Sequence, residues 1–200
     1  MGLRALTAGD PYRNVGKPDL VIELRGVGFD YGTNRVIDGL DLEVARNELV
    51  VCVGPSGCGK STLLSLLGGH LQPARGTVKR EGQSRTIYQD GGLFPWLTVR
   101  QNIDGGLPRT TAPAERKTMV ASQLEIMRLA DFADHYPHQL SGGMRQRVEI
   151  ARALAAETDV LLLDEPFSAL DYQTRNRMRR ELIATLESRP RSVVFVTHDI

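Results

Sequence analysis

An α/β fold built on a mainly parallel sheet, with a phosphate cradle at the end of one strand, is what this sequence predicts. Three observations predict it. The apolar run Leu49-Val50-Val51-Cys52-Val53 reads as a strand. It leads directly into Gly54-Pro55-Ser56-Gly57-Cys58-Gly59-Lys60-Ser61-Thr62, a loop of the G-x-x-x-x-G-K-[ST] form. A second apolar run, Val160-Leu161-Leu162-Leu163, is continuous rather than alternating, as expected of a strand buried on both faces, and it ends in Asp164-Glu165. A helical stretch from Tyr172 to Ser188 and a strand from Ser192 to Thr197 then complete a strand–helix–strand unit. Such a unit favours parallel pairing through a right-handed crossover.

The remaining elements follow in order. Residues 1–19 read as a polar N-terminal extension with Gly and Pro and no signal-peptide core. Residues 20–53 read as short alternating strands joined by turns, for example Leu20–Leu24 and Leu40–Val44. A helix follows the glycine-rich loop, with Leu63, Leu64, Leu66 and Leu67 as its apolar face, and Gly76 and Gly82 mark turns in the compact path to Gln89. From about Gly91 to Gln139 the pattern is helical, broken by a Pro- and Thr-containing loop around residues 108–113. Val120, Leu124 and Met127 fall at i, i+4 and i+7. A helix running on from Met144 turns Val148, Ala151 and Leu154 inward. The sequence shows no internal repeat.

The chemistry of the first loop is specific. Backbone N–H groups at Gly57, Cys58 and Gly59 point inward only where no Cβ obstructs them. There they meet phosphate at a helix start, where unpaired N–H groups and the helix dipole favour an anion. Lys60 would neutralise the outer phosphates and Ser61 would offer its hydroxyl to magnesium. Adjacent carboxylates at a strand end are costly to bury without a partner. Magnesium and a reacting water supply one, with Asp164 serving the metal and Glu165 the water. A second glycine-rich segment, Leu140-Ser141-Gly142-Gly143-Met144, opens a later helix. Two such cradles suggest one nucleotide held from both sides by two chains.

Composition excludes several classes. The formal net charge is +1, which gives no reason to expect a nucleic-acid surface. No apolar run approaches the roughly 20 residues that span a bilayer. Cys52 and Cys58, the two cysteines of the chain, sit in a strand and in the phosphate loop and suggest neither a disulfide nor a zinc site. Arg175, Arg177, Arg179 and Arg180 alternate with Met178, Leu182 and Leu186 at helical spacing and read as the solvated face of an amphipathic helix.

From about Leu20 onward the motifs together resemble the ATP-binding subunit of an ABC transporter. Gly54–Thr62 is similar to the family's Walker A loop, Gln89 to the Q-loop glutamine and Leu140–Met144 to the ABC signature. Val160–Glu165 is similar to Walker B, Ser168–Asp171 to the D-loop, His198 to the switch histidine, and Tyr31 to the aromatic that stacks on adenine. The resemblance implies a P-loop fold of the ABC ATPase type over 20–200. An N-terminal antiparallel β-subdomain and a helical subdomain at about 91–145 would be set on the mainly parallel sheet.

It also implies a catalytic set of Glu165, His198 and Gln89. Binding of ATP falls to Tyr31, Gly54, Pro55, Ser56, Gly57, Cys58, Gly59, Lys60, Ser61, Thr62, Ser141, Gly142 and Gly143, and binding of magnesium to Ser61, Gln89 and Asp164. The implied partners are a second copy in an ATP-sandwiched homodimer, a membrane permease subunit and, indirectly, a solute-binding protein, at the cytoplasmic face of the membrane. Pro95-Trp96-Leu97-Thr98-Val99 and Gly142–Val148 resemble the nitrate, sulfonate and taurine importer branch. Phe94, Trp96 and Leu97 read equally as a groove for the membrane subunit or as core. Family members continue beyond the switch histidine, so a chain ending at Ile200 reads as truncated and as binding ATP better than it hydrolyses it. A soluble ABC-type ATPase not coupled to transport and a non-catalytic nucleotide-binding fragment are the alternative readings.

Overall fold

A computed structural model describes the backbone of Arg4–Thr7 and residues 19–88 and 92–198. The chain divides into two compact units. One runs to Thr86 and resumes at Thr158–Glu165 and again from Arg191; the other comprises Ile87–Glu157 and Pro166–Pro190.

The first unit holds two sheets. Strands β1 (Arg4–Thr7), β4 (Leu49–Val53), β6 (Ser84–Ile87), β7 (Val160–Asp164) and β8 (Ser192–Thr197) form one, in the order β1–β4–β8–β7–β6. β8 pairs parallel to both β4 and β7, and β1 pairs antiparallel to β4. All five residues of β7 are buried, which is why its sequence is apolar without alternation. The parallel core matches the expectation, and β1 adds an edge strand from within the segment read as a polar extension.

The second sheet, β3–β2–β5, is antiparallel and consists of β2 (Leu20–Tyr31), β3 (Asn34–Ala45) and β5 (Arg75–Arg80). Here the expectation of short strands is corrected. β2 and β3 are each 12 residues long, and their register shifts at several points, one of them between Leu24 and Val27. Bulges of this kind interrupt the period-2 pattern, so one long strand reads as two short ones. Gly82 lies in the turn after β5 as expected, but Gly76 lies inside β5. A Cβ at Gly76 would come within 2.4 Å of the carbonyl oxygens of Arg25 and Gly26, so the glycine permits a close strand approach rather than a turn.

Helix α1 (Lys60–Leu67) shares one core with both sheets. Leu63, Leu64, Leu66 and Leu67 are buried as predicted and pack with Ile22, Leu24 and Val44 from one sheet and Val50, Leu162 and Val194 from the other. Ser192, fully buried, is satisfied twice: its hydroxyl accepts from Asn47 N–H at 2.9 Å and donates to the Ala45 carbonyl at 3.0 Å. That ties the β3–β4 turn to the start of β8.

The second unit is helical. α2 (Val99–Asp104) begins with a reciprocal capping box between Thr98 and Gln101, and α3 (Pro113–Ile126) carries Pro at its start. Two single-turn 3-10 helices, Ala130–Phe132 and Pro137–Gln139, lead to α4 (Gly142–Ala155), which packs on α2 and α3. α5 (Tyr172–Ser188) starts at Asp171, whose carboxylate accepts from Thr174 N–H at 3.0 Å. Val120, Leu124, Met127, Val148, Ala151 and Leu154 are all buried, as their spacing predicts.

The arginines of α5 depart from expectation. Arg180 is exposed, but Arg175, Arg177 and Arg179 are half-buried. Phe94 and Trp96 are 41% and 69% exposed, so they are surface and not core. Among the described residues no helix is long and apolar enough to cross a membrane.

The core assignment has a direct test. Leu64→Ala removes a fully buried side chain from α1. It should lower unfolding free energy by about 2–5 kcal/mol in chemical denaturation, the usual cost of a large-to-small change in a packed core.

Candidate active site

The glycine-rich loop leaves β4 at Gly54 and becomes α1 at Lys60. Gly57 has φ +79° and Gly59 φ +97°, a region that residues with a Cβ avoid. The two glycines serve different needs. A Cβ at Gly59 would lie 2.9 Å from Val36 Cγ1, so this position must be bare for the β2–β3 hairpin to pack on the loop. At Gly57 a Cβ would meet nothing, so backbone conformation alone asks for glycine there. The Cys58 N–H donates to the Pro55 carbonyl at 3.3 Å. It closes a turn within the loop. At Gly54 a Cβ would stand 2.7 Å from the Cys58 thiol.

Lys60 is buried at 6% exposure. Its ammonium donates to the carbonyls of Gly54 at 2.8 Å and Pro55 at 2.9 Å, and lies 3.8 Å from a Glu165 carboxylate oxygen. The other Glu165 oxygen is 2.7 Å from His198 Nδ1. Lys60, Glu165 and His198 thus form one line from the phosphate loop across the sheet end. Strand register brings them together: Val53 is level with Thr197, and Asp164 with Val196, across parallel pairs. The Gly54 N–H donates to Thr197 O and the Glu165 N–H to Val196 O, fixing both loops to β8. Glu165 also takes φ +46°, uncommon for a residue with a side chain, where the chain turns off β7. Motif order alone shows neither the contact of Lys60 with Glu165 nor that of Glu165 with His198.

The other expected residues fall as follows. Asp164 is buried at 4% exposure at the end of β7. Ser61 is exposed and Thr62 buried in the first turn of α1, while Pro55 and Ser56 are exposed in the loop. Tyr31 ends β2 at 54% exposure, edge-on to Phe29 at 4.9 Å. It is paired with Asn34 in the same hairpin that brings Val36 against Gly59. Gln89 lies outside the described residues.

Ser141, Gly142 and Gly143 lie in the second unit at the start of α4, where the Ser141 hydroxyl accepts from Met144 N–H at 3.2 Å. Within that unit Gly143 must be small, since a Cβ would come 3.0 Å from Leu170. Gln146 accepts from Ala169 N–H at 3.2 Å, so α4 holds the Ser168–Asp171 segment through a side chain that motif reading passed over.

The donor set fits a nucleotide with a magnesium ion. The loop combines a helix N-terminus, two left-handed glycines and a buried ammonium, which suit polyphosphate. Ser61 and Asp164 offer hard oxygen donors. Among the described residues no group of three or more His, Cys, Asp or Glu could hold a metal unaided. A magnesium ion would therefore rely on phosphate and water oxygens for the rest of its shell, as that ion commonly does.

A parallel sheet with a glycine-rich loop at the carboxyl end of one strand and a carboxylate pair at the end of another defines a P-loop nucleotide-binding ATPase. The sequence profile of the ABC transporter family matches residues 37–168. An ATP-binding protein of Brucella abortus is 44% identical over 188 residues, covering 90% of this chain and 72% of that one. A nitrate import ATP-binding protein of Synechocystis is 41% identical over 178 residues, covering 84% of this chain and 67% of the relative. Among solved structures, a dimeric ATP-binding cassette in a post-hydrolysis state with ADP and phosphate superposes with a TM-score of 0.78. It is 30% identical and covers 89% of this chain and 88% of that one. The chain belongs to the ABC transporter family. It is an ATP-hydrolysing, ATP-binding cassette of that family and resembles its nitrate-import branch.

The two cysteines give a probe of the loop. Cys52 is fully buried and burial pushes its thiol up to about 11, whereas Cys58 is half-buried in the loop. Alkylation followed by mass mapping should label Cys58 well before Cys52, and ATP should slow Cys58 selectively. Equal Cys58 labelling with and without ATP would show that nucleotide binds elsewhere.

Proposed function

We propose that this chain energises an ABC importer for nitrate, sulfonate, taurine or a similarly small solute. It would work as an ATP-sandwiched homodimer bound to a separate membrane permease at the cytoplasmic face, with a solute-binding protein delivering the cargo. The observation that carries the catalytic part is the line Lys60–Glu165–His198 beside the phosphate loop. The kinship with a nitrate import subunit supports the importer branch, and the dimeric cassette supports the homodimer.

In this reading the loop from Gly54 to Thr62 cradles the phosphates, with Lys60 countering their charge. Ser61, Asp164 and Gln89 would hold magnesium, which when bound screens the phosphate oxygens. Glu165 takes a proton from, or orients, the water that attacks the γ-phosphorus in line, and His198 steadies the γ-phosphate while orienting Glu165. Tyr31 stacks on adenine. Ser141, Gly142 and Gly143 meet the γ-phosphate of an ATP held by the second copy. Such chemistry proceeds by positioning and charge stabilisation, without a covalent enzyme intermediate. ATP then favours the closed dimer by its differential affinity for that state, and hydrolysis removes the bias.

Glu165→Gln tests the assignment. The amide keeps the shape and can still hydrogen-bond His198, but it cannot act as a base. Turnover should fall by roughly 10²–10⁴, the range of a general-base contribution. ATP binding should persist, and the variant should accumulate as a nucleotide-bound dimer in size-exclusion chromatography. Near-normal phosphate release would remove Glu165 from the catalytic role.

A further inference from the structure

Glu149 is a buried carboxylate outside the set that contacts nucleotide. It lies on α4, 5% exposed, two turns beyond the Ser141–Gly143 segment. Its side chain accepts the backbone N–H groups of Gly92 and Leu93. Burial raises its carboxyl above the ordinary range, opposed by those N–H groups and by Arg152 and Arg145 one helical turn to either side. A carboxylate kept in such a place needs its acceptor contacts.

The same loop has a second buried anchor. Asn102, fully buried on α2, accepts from Phe94 N–H at 2.9 Å. Its amide nitrogen lies 3.0–3.1 Å from the carbonyls of Phe94, Leu97 and Thr98. Between the anchors stand the exposed Phe94 and Trp96, their rings 5.5 Å apart, with the Arg152 guanidinium 5.2 Å from the Phe94 ring centre. This loop begins three residues after Gln89. A segment that must respond to nucleotide at one end gains from a fixed pivot at the other.

We infer that Glu149 is a positioning residue: together with Asn102 it clamps the backbone of residues 92–98, which follow Gln89 closely in sequence, and holds Phe94 and Trp96 in one orientation. The clamp is read from the geometry alone. Its consequence for turnover rests on the ATPase reading given above.

Trp96 is the one tryptophan of the chain, so its fluorescence reports this loop directly. Three variants of the full chain separate the roles: Glu149→Leu keeps the volume and removes the acceptor, Glu149→Gln keeps one acceptor oxygen, and Glu149→Ala removes both volume and acceptor. Trp96 anisotropy should fall in Glu149→Leu and Glu149→Ala and be largely kept in Glu149→Gln. The melting temperature of Glu149→Leu should drop by about 2–10 °C, from the loss of two hydrogen bonds to a buried carboxylate. In ATP turnover, Glu149→Leu should lower kcat about fivefold or more with KM for ATP within twofold, and Glu149→Gln should recover most of kcat.

Should Glu149→Ala fail to fold, the leucine and glutamine pair decides. Should the leucine chain fail as well, Glu149→Gln must keep wild-type anisotropy. Unchanged anisotropy in a folded Glu149→Leu, or equal loss in the leucine and glutamine variants, would overturn the proposal. Loss of anisotropy in Glu149→Leu with no ATP hydrolysis by the parent chain would instead leave the clamp standing and sink the ATPase reading.

Discussion

Three parallel strands, β4, β8 and β7, must end at the same level for the site to exist. Val53, Thr197 and Asp164 are fixed near one height by parallel pairing on either side of β8. From that edge the chain turns off three times, into the phosphate loop, into Glu165 and into His198. A slip of one residue in either pairing would send the side chains at the strand ends to the opposite face. The core beneath is built to prevent it. β7 is buried along its whole length, and Ser192 fastens the start of β8 to the turn that precedes β4. Ligands gather at the carboxyl ends of such strands in open α/β sheets.

On that edge the charges arrange themselves by mutual need. Lys60 and Glu165 are both largely desolvated, and a buried charge persists where it is paired and hydrogen-bonded. The two backbone carbonyls at Gly54 and Pro55 take two of the three ammonium donors of Lys60, and Glu165 faces the remaining side. Glu165 in turn shares its second oxygen with His198. The ammonium, the carboxylate and the imidazole are thus held in one network. A change at one member alters the setting of the other two.

The helical unit applies the same economy to its loops. α4 opens with the small residues Gly142 and Gly143, holds the Ser168–Asp171 segment through Gln146, and one turn later holds the loop after Gln89 through Glu149. Neighbouring positions along one helix therefore reach two different segments. Fully satisfied buried polar contacts of this kind rigidify what they touch.

The sequence by itself determined what depends on chemical type and local order. The loop Gly54–Thr62, the strand Val160–Asp164, helix Tyr172–Ser188 and strand Ser192–Thr197 were all legible, because continuous apolar runs and a glycine–lysine–serine loop follow from burial on both faces and from phosphate chemistry. The motif series was equally legible, and it carried the family. Only tertiary structure decided which side chains meet. That Lys60 faces Glu165, that Glu165 faces His198, and that Glu149 lies under Gly92 are facts of pairing register and helix packing between segments far apart in the chain, and no local pattern encodes them. The length of β2 and β3 was hidden because bulges break their alternation. The place of Gly76 was hidden because glycine marks a turn and a close strand approach alike, and only the neighbouring backbone at Arg25 and Gly26 tells them apart.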